Sequence, residues 1–374
     1  MAGIYIHIPF CKRKCHYCNF YSLANQKNKA EFHQALLKEI ALQKDYLQAE
    51  KIETIYFGGG TPSLLSAKEI DEIINQIHKY FKLDSRAEID LEANPDDINS
   101  EILSDYRKLG INRLSIGTQS FDNEILKKLN RIHTAQQAIE AVHLAQAQGF
   151  DNISIDLIYG IPGLSNKLWE ESIAQAISMQ IPHLSAYHLT VEPKTALDIL
   201  IKKNKYPKPI DEEGVNHALI LMEAMQKQGY EHYEISNFAL PGQYSVHNTN
   251  YWRQKPYLGL GPSAHSFDLK SRQWNIASTN KYIEALDSGK LDFERETITP
   301  TDQYNEFVML ALRTQWGVNK NELESKFGSQ RLMYFENQIQ KYILQEKVIY
   351  QDSVYRLSNQ GKLFADGIAG DLFL

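Results

Sequence analysis

The sequence predicts an α/β fold, a partial barrel of six strand–helix units followed by a C-terminal α+β extension. Two observations predict this fold. Short apolar segments typical of strands alternate with amphipathic helical segments six times between residues 4 and 190. Polar or glycine-rich residues follow these strands, and parallel barrels carry their functional residues at the carboxyl ends of the strands. A doubly wound open sheet has the same rhythm and stays an alternative.

The first three units occupy residues 4–110. Their strands are predicted over residues 4–8, 52–57 and 88–92. A first helix is predicted over residues 29–47, because apolar side chains recur on one face of that segment. Ser66 and Glu69 are spaced as a capping box for the second helix, and Gly110 is placed to end the third.

The next three units continue the pattern to residue 190. Their strands are predicted over residues 113–117, 153–157 and 183–190. Two short helical segments follow the fourth strand, and Thr134 and Gln137 cap the second of them. A further helix is predicted near residues 167–180. Sequential units of this length favour a parallel sheet with right-handed crossovers.

Beyond the barrel, the pattern divides the remaining chain into two parts. The sequence predicts a barrel over residues 1–200, an associated α+β segment over 201–298 and a mainly helical C-terminal domain over 299–374. In the middle segment, a helix is predicted over 212–228 and strands and loops over 230–267. The last domain ends in two short strands and resembles a winged-helix unit. Glutamates among its lysines favour a packing role over DNA binding.

The composition is that of an ordinary globular protein with a sizeable core. The 374 residues are 43% apolar and 23% charged, with a formal net charge of −6. This acidic balance gives no general attraction to nucleic acid. No apolar run approaches the roughly 20 residues of a membrane span, and no secretion signal precedes the first strand. Free cysteines in such a chain predict a reducing, cytoplasmic location.

All three cysteines lie on one short loop directly after the first strand. Cys11, Cys15 and Cys18 follow the spacing CxxxCxxC. Three thiolates can hold a 4Fe–4S cluster and leave its fourth iron open to an exchangeable ligand. A zinc site with His16 as fourth ligand is the alternative, but zinc ligands commonly come as two separated pairs and no second pair is present. An odd cysteine count also argues against a disulfide framework.

A glycine-rich turn follows the second strand, at Gly58-Gly59-Gly60-Thr61-Pro62. Glycines there let a ligand approach the backbone closely, since no Cβ intervenes. CxxxCxxC after one strand and GGGTP after the next resemble the radical S-adenosylmethionine (SAM) superfamily. In that superfamily the amino and carboxylate groups of SAM chelate the open iron of the cluster. The resemblance therefore implies a partial radical SAM barrel that binds a 4Fe–4S cluster and SAM.

The similarity extends over nearly the whole chain. The segments YIHIPFC, YFGGGTPS, IGTQSF, IDLIYGIPG and YLGLGPSAHSF resemble the coproporphyrinogen oxidase-like branch of the superfamily. In that branch the SAM contacts would fall on Tyr5, Tyr17, Gly59, Gly60, Thr61, Glu92, Gln119, Arg131 and Asp156. Carboxylates can accept from an ammonium or a ribose hydroxyl, and an arginine can pair with a carboxylate.

Two departures separate the chain from the oxidase itself. The oxidase has a further cysteine two positions after the third, where this chain has Phe20. It also has a longer segment ahead of its first strand, whereas Tyr5 stands almost at the beginning here. We therefore expect SAM binding without coproporphyrinogen III dehydrogenase activity. The sequence instead resembles the heme chaperones of this branch, which carry the pattern HNxxYW.

That pattern occurs here as His247-Asn248-Thr249-Asn250-Tyr251-Trp252. A neutral histidine is a common axial ligand of heme iron, and aromatic rings can pack against a porphyrin face. From the residues alone, a half-buried polar cluster explains the pattern equally well. The resemblance implies a heme site, with His247 as the candidate iron ligand and Tyr251 and Trp252 as packing residues.

The leading hypothesis is a heme chaperone that binds heme and a SAM-coordinated 4Fe–4S cluster and transfers heme to an acceptor protein. The alternative is a radical SAM coproporphyrinogen III oxidase that decarboxylates porphyrinogen propionates. The expected partners are heme and a heme-accepting protein, with the respiratory chain as a candidate source of that acceptor. A peripheral membrane contact and a homodimer stay open. No nucleic acid is expected.

Overall fold

The computed structural model describes all residues from 1 to 374. Its strands are β1 (Ala2–Ile8), β2 (Ile52–Gly59), β3 (Leu83–Ala93), β4 (Arg113–Gln119), β5 (Ile153–Tyr159), β6 (His183–His188), β7 (Glu231–Glu234), β8 (Asn237–Ala239), β9 (Tyr257–Leu260), β10 (His265–Phe267), β11 (Ser271–Asn275), β12 (Phe293–Thr297), β13 (Val318–Asn319), β14 (Val348–Gln351) and β15 (Val354–Leu357).

The helices alternate with the strands over most of the chain. They are α1 (Lys29–Leu42), α2 (Ala67–Tyr80), α3 (Ser100–Lys108), α4 (Asn123–Lys128), α5 (Ala135–Ala147), α6 (Asn166–Ser178), α7 (Ala196–Lys202), α8 (Asp211–Lys227), α9 (Val246–Trp252), α10 (Thr279–Asp287), α11 (Pro300–Leu312), α12 (Lys320–Phe327), α13 (Ser329–Leu344), α14 (Asn359–Lys362) and α15 (Ala365–Gly370). None of them is long and apolar enough to cross a membrane.

The first six strands form the wall of a partial barrel. They are parallel and adjacent in chain order, from β1 to β6. A doubly wound sheet would reverse its strand order partway, so the barrel prediction is confirmed. The wall does not close on itself, because β1 also pairs with β9 and β6 also pairs with β8.

The barrel interior is polar because the strands alternate their side chains. Along β1, Ile4, Ile6 and Ile8 are fully buried in the apolar core, and the intervening residues belong to the opposite face of the strand. On neighbouring strands that inner face carries Asp90 and Arg113, whose ion pair of 3.2 Å is almost wholly buried. Burial raises the pKa of Asp90 to about 7, although the Arg113 charge opposes this rise.

Local signals in the sequence placed most helix starts correctly. Ser66 caps α2 and Thr134 caps α5, each in a reciprocal capping box. The first helix was predicted to reach residue 47, which is wrong, because α1 ends at Leu42. Beyond that point Gln48 and Ala49 adopt left-handed backbone conformations that are incompatible with a helix.

The helix that carries the HNxxYW pattern was not predicted. Strands and loops were expected over residues 230–267, but α9 lies within that range, with Ser245 as its N-cap. The helix has only seven residues, and histidine, asparagine, threonine and aromatic residues are weak helix formers. Its position depends on contacts with β1 and β2 rather than on local propensity.

The C-terminal part has its own apolar core. Residues between Tyr304 and Leu372 form a separate buried cluster built by α11, α12, α13, α15 and a small sheet. In that sheet β15 lies between β13 and β14. The two short strands that the sequence predicts over residues 347–350 and 355–357 are present as β14 and β15, an antiparallel hairpin. The winged-helix comparison and the domain boundaries at 200 and 298 stay predictions.

Candidate functional site

The cysteine loop lies at the carboxyl end of β1. Its backbone is fixed at both ends, because Cys11 N–H donates to Leu23 O at 2.9 Å and Leu23 N–H donates to Pro9 O at 2.7 Å. Cys11 is buried, and Cys15 and Cys18 are half-buried. All three thiols line one cavity of about 390 Å³. The loop therefore presents three sulfur atoms to a single space.

The donor set of this loop fits an iron–sulfur cube better than a single metal ion. No three histidine, cysteine or acidic side chains lie close enough together to hold one ion. A cube takes one thiolate at each of three corners, so its thiolates lie farther apart than the ligands of one ion. Burial raises the pKa of Cys11 and of Cys18, because a thiolate is poorly solvated there. Bonding to iron would reverse that effect, because a coordinating thiol loses its proton.

Arg131 connects the cysteine loop to the third and fourth strands. Its Nη1 donates to Cys15 Sγ at 3.4 Å, and its Nη2 donates to Asn94 Oδ1 at 2.6 Å and to Gly117 O at 2.7 Å. A further donor, Nε, is buried and has no partner. Arg131 therefore brings a fixed positive charge with a free donor into the wall of the cavity. Such a group fits the carboxylate of an amino acid.

The glycine turn after β2 lies against the beginning of the cysteine loop. Gly60 N–H donates to Ile8 O at 2.8 Å. A Cβ at Gly60 would lie 2.6 Å from Phe10 O and 2.7 Å from Ile8 O. Gly59 has a φ of +101°, and a Cβ there would lie 2.5 Å from the His7 ring. Only glycine fits these two positions, and the bare backbone leaves room beside the thiols.

Two carboxyl groups form the acidic side of the cavity. Glu92 accepts from the Tyr56 hydroxyl at 2.7 Å and from Gly59 N–H at 3.2 Å. Burial raises the pKa of Glu92 to about 8, and the charges of Asp156 and Asp90 add to this rise. Burial also raises the pKa of Asp156 to about 6. A ligand ammonium group would favour the ionised forms of both carboxyls.

Gln119 shows a local backbone distortion at the same cavity. It ends β4 with a φ of +64°, which is unusual for a residue other than glycine. The pairing between β4 and β5 is irregular between Ile116 and Gln119. Strained backbone of this kind is often found at ligand sites, where it aims a side chain. The distortion supports Gln119 as a contact residue.

The structure brings together most of the site that the sequence predicts. The cavity is lined by the three cysteines and by eight of the nine expected SAM contacts, which are Tyr17, Gly59, Gly60, Thr61, Glu92, Gln119, Arg131 and Asp156. The ninth, Tyr5, does not line it, and its hydroxyl lies 3.0 Å from His7 Nδ1. Tyr5 as a direct SAM contact stays a prediction.

Sequence reasoning missed several other residues of the cavity wall. Asn94 orients Arg131, and its place directly after β3 was the available signal. The outer rim includes Tyr187 and His188 at the carboxyl end of β6, a position that could have suggested them. Phe20 also lies at the rim, with 60% of its surface exposed.

The HNxxYW pattern lies at the other end of the barrel. His247 packs against Gly3 and Thr54, near the amino ends of β1 and β2. Its Nδ1 is 2.8 Å from Thr54 Oγ1 and its Nε2 is 2.8 Å from Tyr251 Oη. The side chain is 2% exposed, and burial lowers the pKa of His247 to about 3. The imidazole is therefore neutral and fully hydrogen-bonded.

The other aromatic residues of the pattern are more accessible. Tyr251 and Trp252 are half-buried. Trp252 Nε1 is buried without a hydrogen-bond partner, and the Arg313 guanidinium lies 5.6 Å from the indole ring. The Glu88 carboxylate accepts from the backbone N–H groups of Val246 and His247 at the start of α9. Helix α9, which we call the motif helix, thus closes the amino end of the barrel.

Comparisons with known proteins agree with this geometry. Residues 5–176 match the radical SAM superfamily, and residues 298–364 match the HemN C-terminal domain. Radical SAM proteins use a 4Fe–4S cluster and SAM, as the cavity suggests. The solved structure of coproporphyrinogen III oxidase (HemN) from Escherichia coli is similar to this structure, with a TM-score of 0.86. The match covers 100% of this chain and 90% of the HemN chain. At 21% identity this likeness shows the fold.

Curated relatives resemble the chain over its whole length. Heme chaperone HemW of Bacillus subtilis is 34% identical over 373 residues, which are 99% of this chain and 98% of the relative. Heme chaperone HemW of Escherichia coli is 33% identical over 379 residues, with 100% and 98% covered. The resemblance to heme chaperones within the coproporphyrinogen oxidase-like branch is confirmed. The chain belongs to the HemW family of radical SAM proteins.

Proposed function

We propose that this protein is a heme chaperone that binds heme and a SAM-coordinated 4Fe–4S cluster and transfers heme to an acceptor protein. The observation that carries the proposal is the similarity to relatives named heme chaperone over 98% of their length. That similarity includes both the cysteine loop and the motif helix. The proposal thus assigns one cofactor to each end of the barrel.

At the carboxyl end, Cys11, Cys15 and Cys18 would hold the cluster, as their shared cavity and the positive charge of Arg131 allow. Arg131 would pair with the SAM carboxylate, and Glu92 and Asp156 would accept from its amino group and ribose hydroxyls. When bound, a reduced cluster supplies an electron that can cleave SAM. The chain itself contributes binding, orientation and a low-dielectric wall.

At the amino end, His247 is the first candidate for the heme iron ligand. Its neutral imidazole suits iron, but both ring nitrogens are already hydrogen-bonded. Iron binding therefore requires His247 to leave Thr54 or Tyr251, with a movement at the start of α9. Tyr251 and Trp252 would then pack the porphyrin. We propose that heme binds to an opened form of this helix.

The acceptor and the setting of the transfer are part of the same proposal. The acceptor is a heme-accepting protein, with the respiratory chain as its candidate source. A peripheral membrane contact and a homodimer would place the chaperone beside that acceptor. A cytoplasmic location suits three free cysteines that serve a cluster.

One observation favours a second function. The SAM cavity is lined by nearly every residue that the radical SAM resemblance implies, so the chain could retain oxidase chemistry on porphyrinogen propionates. Phe20 argues against it, because it stands where the oxidase has a further cysteine. Anaerobic protein with SAM, reductant and coproporphyrinogen III should form no protoporphyrinogen IX, and turnover would favour the oxidase.

Heme titration of the reconstituted protein tests the proposal. Wild type should develop a Soret band that saturates at one heme per chain, and His247→Ala should show a weaker and shifted band. His143→Ala, on the exposed face of α5, is the matched control and should behave as wild type. Equal binding by His247→Ala and wild type would remove His247 as a ligand. No saturable binding by wild type would contradict the chaperone function.

A further inference from the structure

A column of three packed rings, Tyr5, Tyr56 and His247, lies between the motif helix and the SAM cavity. The Tyr56 ring lies 4.9 Å from the His247 ring, with an interplanar angle of 25°. The Tyr5 ring lies 6.0 Å from Tyr56 at 30°. Tyr5 and Tyr56 occupy paired positions on β1 and β2. The motif helix thus contacts Tyr56 directly from below.

The upper end of this column touches the SAM cavity. The Tyr56 hydroxyl donates to Glu92 Oε1 at 2.7 Å, and Glu92 Oε2 accepts from Gly59 N–H at 3.2 Å. Glu92 lines the cavity, whereas Tyr56 does not. The Tyr56 hydroxyl therefore contacts the wall of the cavity through the Glu92 carboxylate.

The column has little room to shift. A Cβ at Gly58 would lie 2.6 Å from the Tyr56 ring, 2.9 Å from Glu92 Oε1 and 3.1 Å from the Tyr5 ring. A Cβ at Gly3 would lie 2.7 Å from Thr54 Oγ1 and 3.3 Å from the His247 ring. Glycine at both positions lets the rings pack against the strands. Close packing of this kind transmits a displacement instead of absorbing it.

We infer that Tyr56 is a positioning residue that holds Glu92 in place for SAM and links its orientation to the state of the His247 helix. A hydroxyl that donates to a carboxylate fixes its rotamer and favours its ionised form. The stack on His247 fixes the Tyr56 ring in turn. The inference rests on the proposed function in one respect, since movement of His247 on heme binding would then reach the SAM site through Tyr56.

The first test measures SAM affinity by calorimetry on anaerobic, cluster-reconstituted protein without heme. Tyr56→Phe keeps the ring and removes only the hydroxyl, and it should weaken SAM binding about fivefold. Glu92→Gln should also weaken it, and the double variant should bind no worse than Glu92→Gln alone. Tyr106→Phe is the matched control, because its buried hydroxyl has no partner. Unchanged affinity in Tyr56→Phe, or additive losses in the double variant, would overturn the inference.

The second test measures the link to the motif helix, again without heme. His247→Asn removes the stacked ring, and it should weaken SAM binding in the Tyr56 protein but not in Tyr56→Phe. Equal effects in both backgrounds would show that the link does not pass through the Tyr56 hydroxyl. Should His247→Asn fail to fold by circular dichroism, Thr54→Val takes its place, since it releases the same imidazole. Neither test uses heme. The inference can therefore fail while heme binding is confirmed, and heme binding can fail while the inference is confirmed.

Discussion

The two ends of the barrel differ in how their functional residues are held. At the carboxyl end, which we call the open end, three thiols, bare glycine backbone and two carboxyls surround a cavity of about 390 Å³. At the amino end, which we call the closed end, His247 is 2% exposed and hydrogen-bonded at both ring nitrogens. The first arrangement can receive a ligand without rearrangement, whereas the second requires one. On the proposed placement of the two ligands, SAM enters a formed cavity and heme binds only after a rearrangement.

The largest expected effect falls on the cluster at the carboxyl end. Cys15→Ser removes one of only three thiols, so we expect loss of the cluster and with it of tight SAM binding. Heme affinity measured without SAM should be unchanged, because the motif lies at the opposite end. Iron and sulfide content, followed by heme titration, measure both effects. Protein stripped of iron by a chelator is the control and should match the variant, whereas full iron content in Cys15→Ser would contradict the cluster assignment.

A smaller change tests whether the open end depends on backbone shape. Gly60→Ala places a Cβ within 2.7 Å of two carbonyl oxygens, so the cysteine loop must shift. Overpacking of this kind costs about 1–3 kcal/mol, and SAM affinity should fall about tenfold or more. The matched control is Gly367→Ala, where a Cβ meets nothing within 4 Å. Equal SAM affinity in Gly60→Ala and wild type would show that the close approach is unnecessary.

Much of the open end was predictable because its signals are local. The cysteine spacing, the glycine turn and the strand ends all lie in short segments, and parallel strands bring their carboxyl ends together. The link from Arg131 to Asn94 and Cys15 was not predictable, because it joins residues 37 and 116 positions apart. The sequence predicts Arg131 only as a SAM contact. Its hydrogen bond to Cys15 in the cysteine loop is seen only in the structure.

The closed end could not be predicted, because it depends on contacts distant in sequence. Thr54 and His247 are 193 positions apart, and Glu88 caps a helix that begins 158 residues later. The pairing of β9 with β1 brings that helix beneath the barrel. Sequence patterns identified His247 as a candidate ligand but could not show that both of its nitrogens are engaged.

The raised pKa of Glu92 predicts that SAM affinity depends on pH. The pKa of Glu92 is raised to about 8, so its carboxyl is mainly protonated at neutral pH in the absence of a cation. The N–H groups of an iron-bound amino group donate to the ionised carboxylate, so SAM affinity should rise by about tenfold or more from about pH 6 to about pH 7.5. Calorimetry over this range measures it, with Glu92→Gln giving a shallower profile. A flat or falling profile in wild type would contradict the role of Glu92.

The smallest effect concerns the closed end. Thr54→Val keeps the shape of the side chain and removes one of the two hydrogen bonds that hold His247. The closed form should lose about 1 kcal/mol, so heme should bind about fivefold more tightly. Thr118→Val is the control, because the Thr118 hydroxyl is buried without a partner. Weaker heme binding by Thr54→Val would mean that the Thr54 bond supports the heme-binding form.

We propose that SAM and heme occupy opposite ends of one barrel. Heme titration of cluster-loaded protein, with and without saturating SAM, tests it most directly. We expect that SAM-saturated protein still binds one heme per chain and that SAM stays bound at the end of the titration. Competitive displacement of SAM by heme would place both ligands in the same cavity and contradict binding at opposite ends.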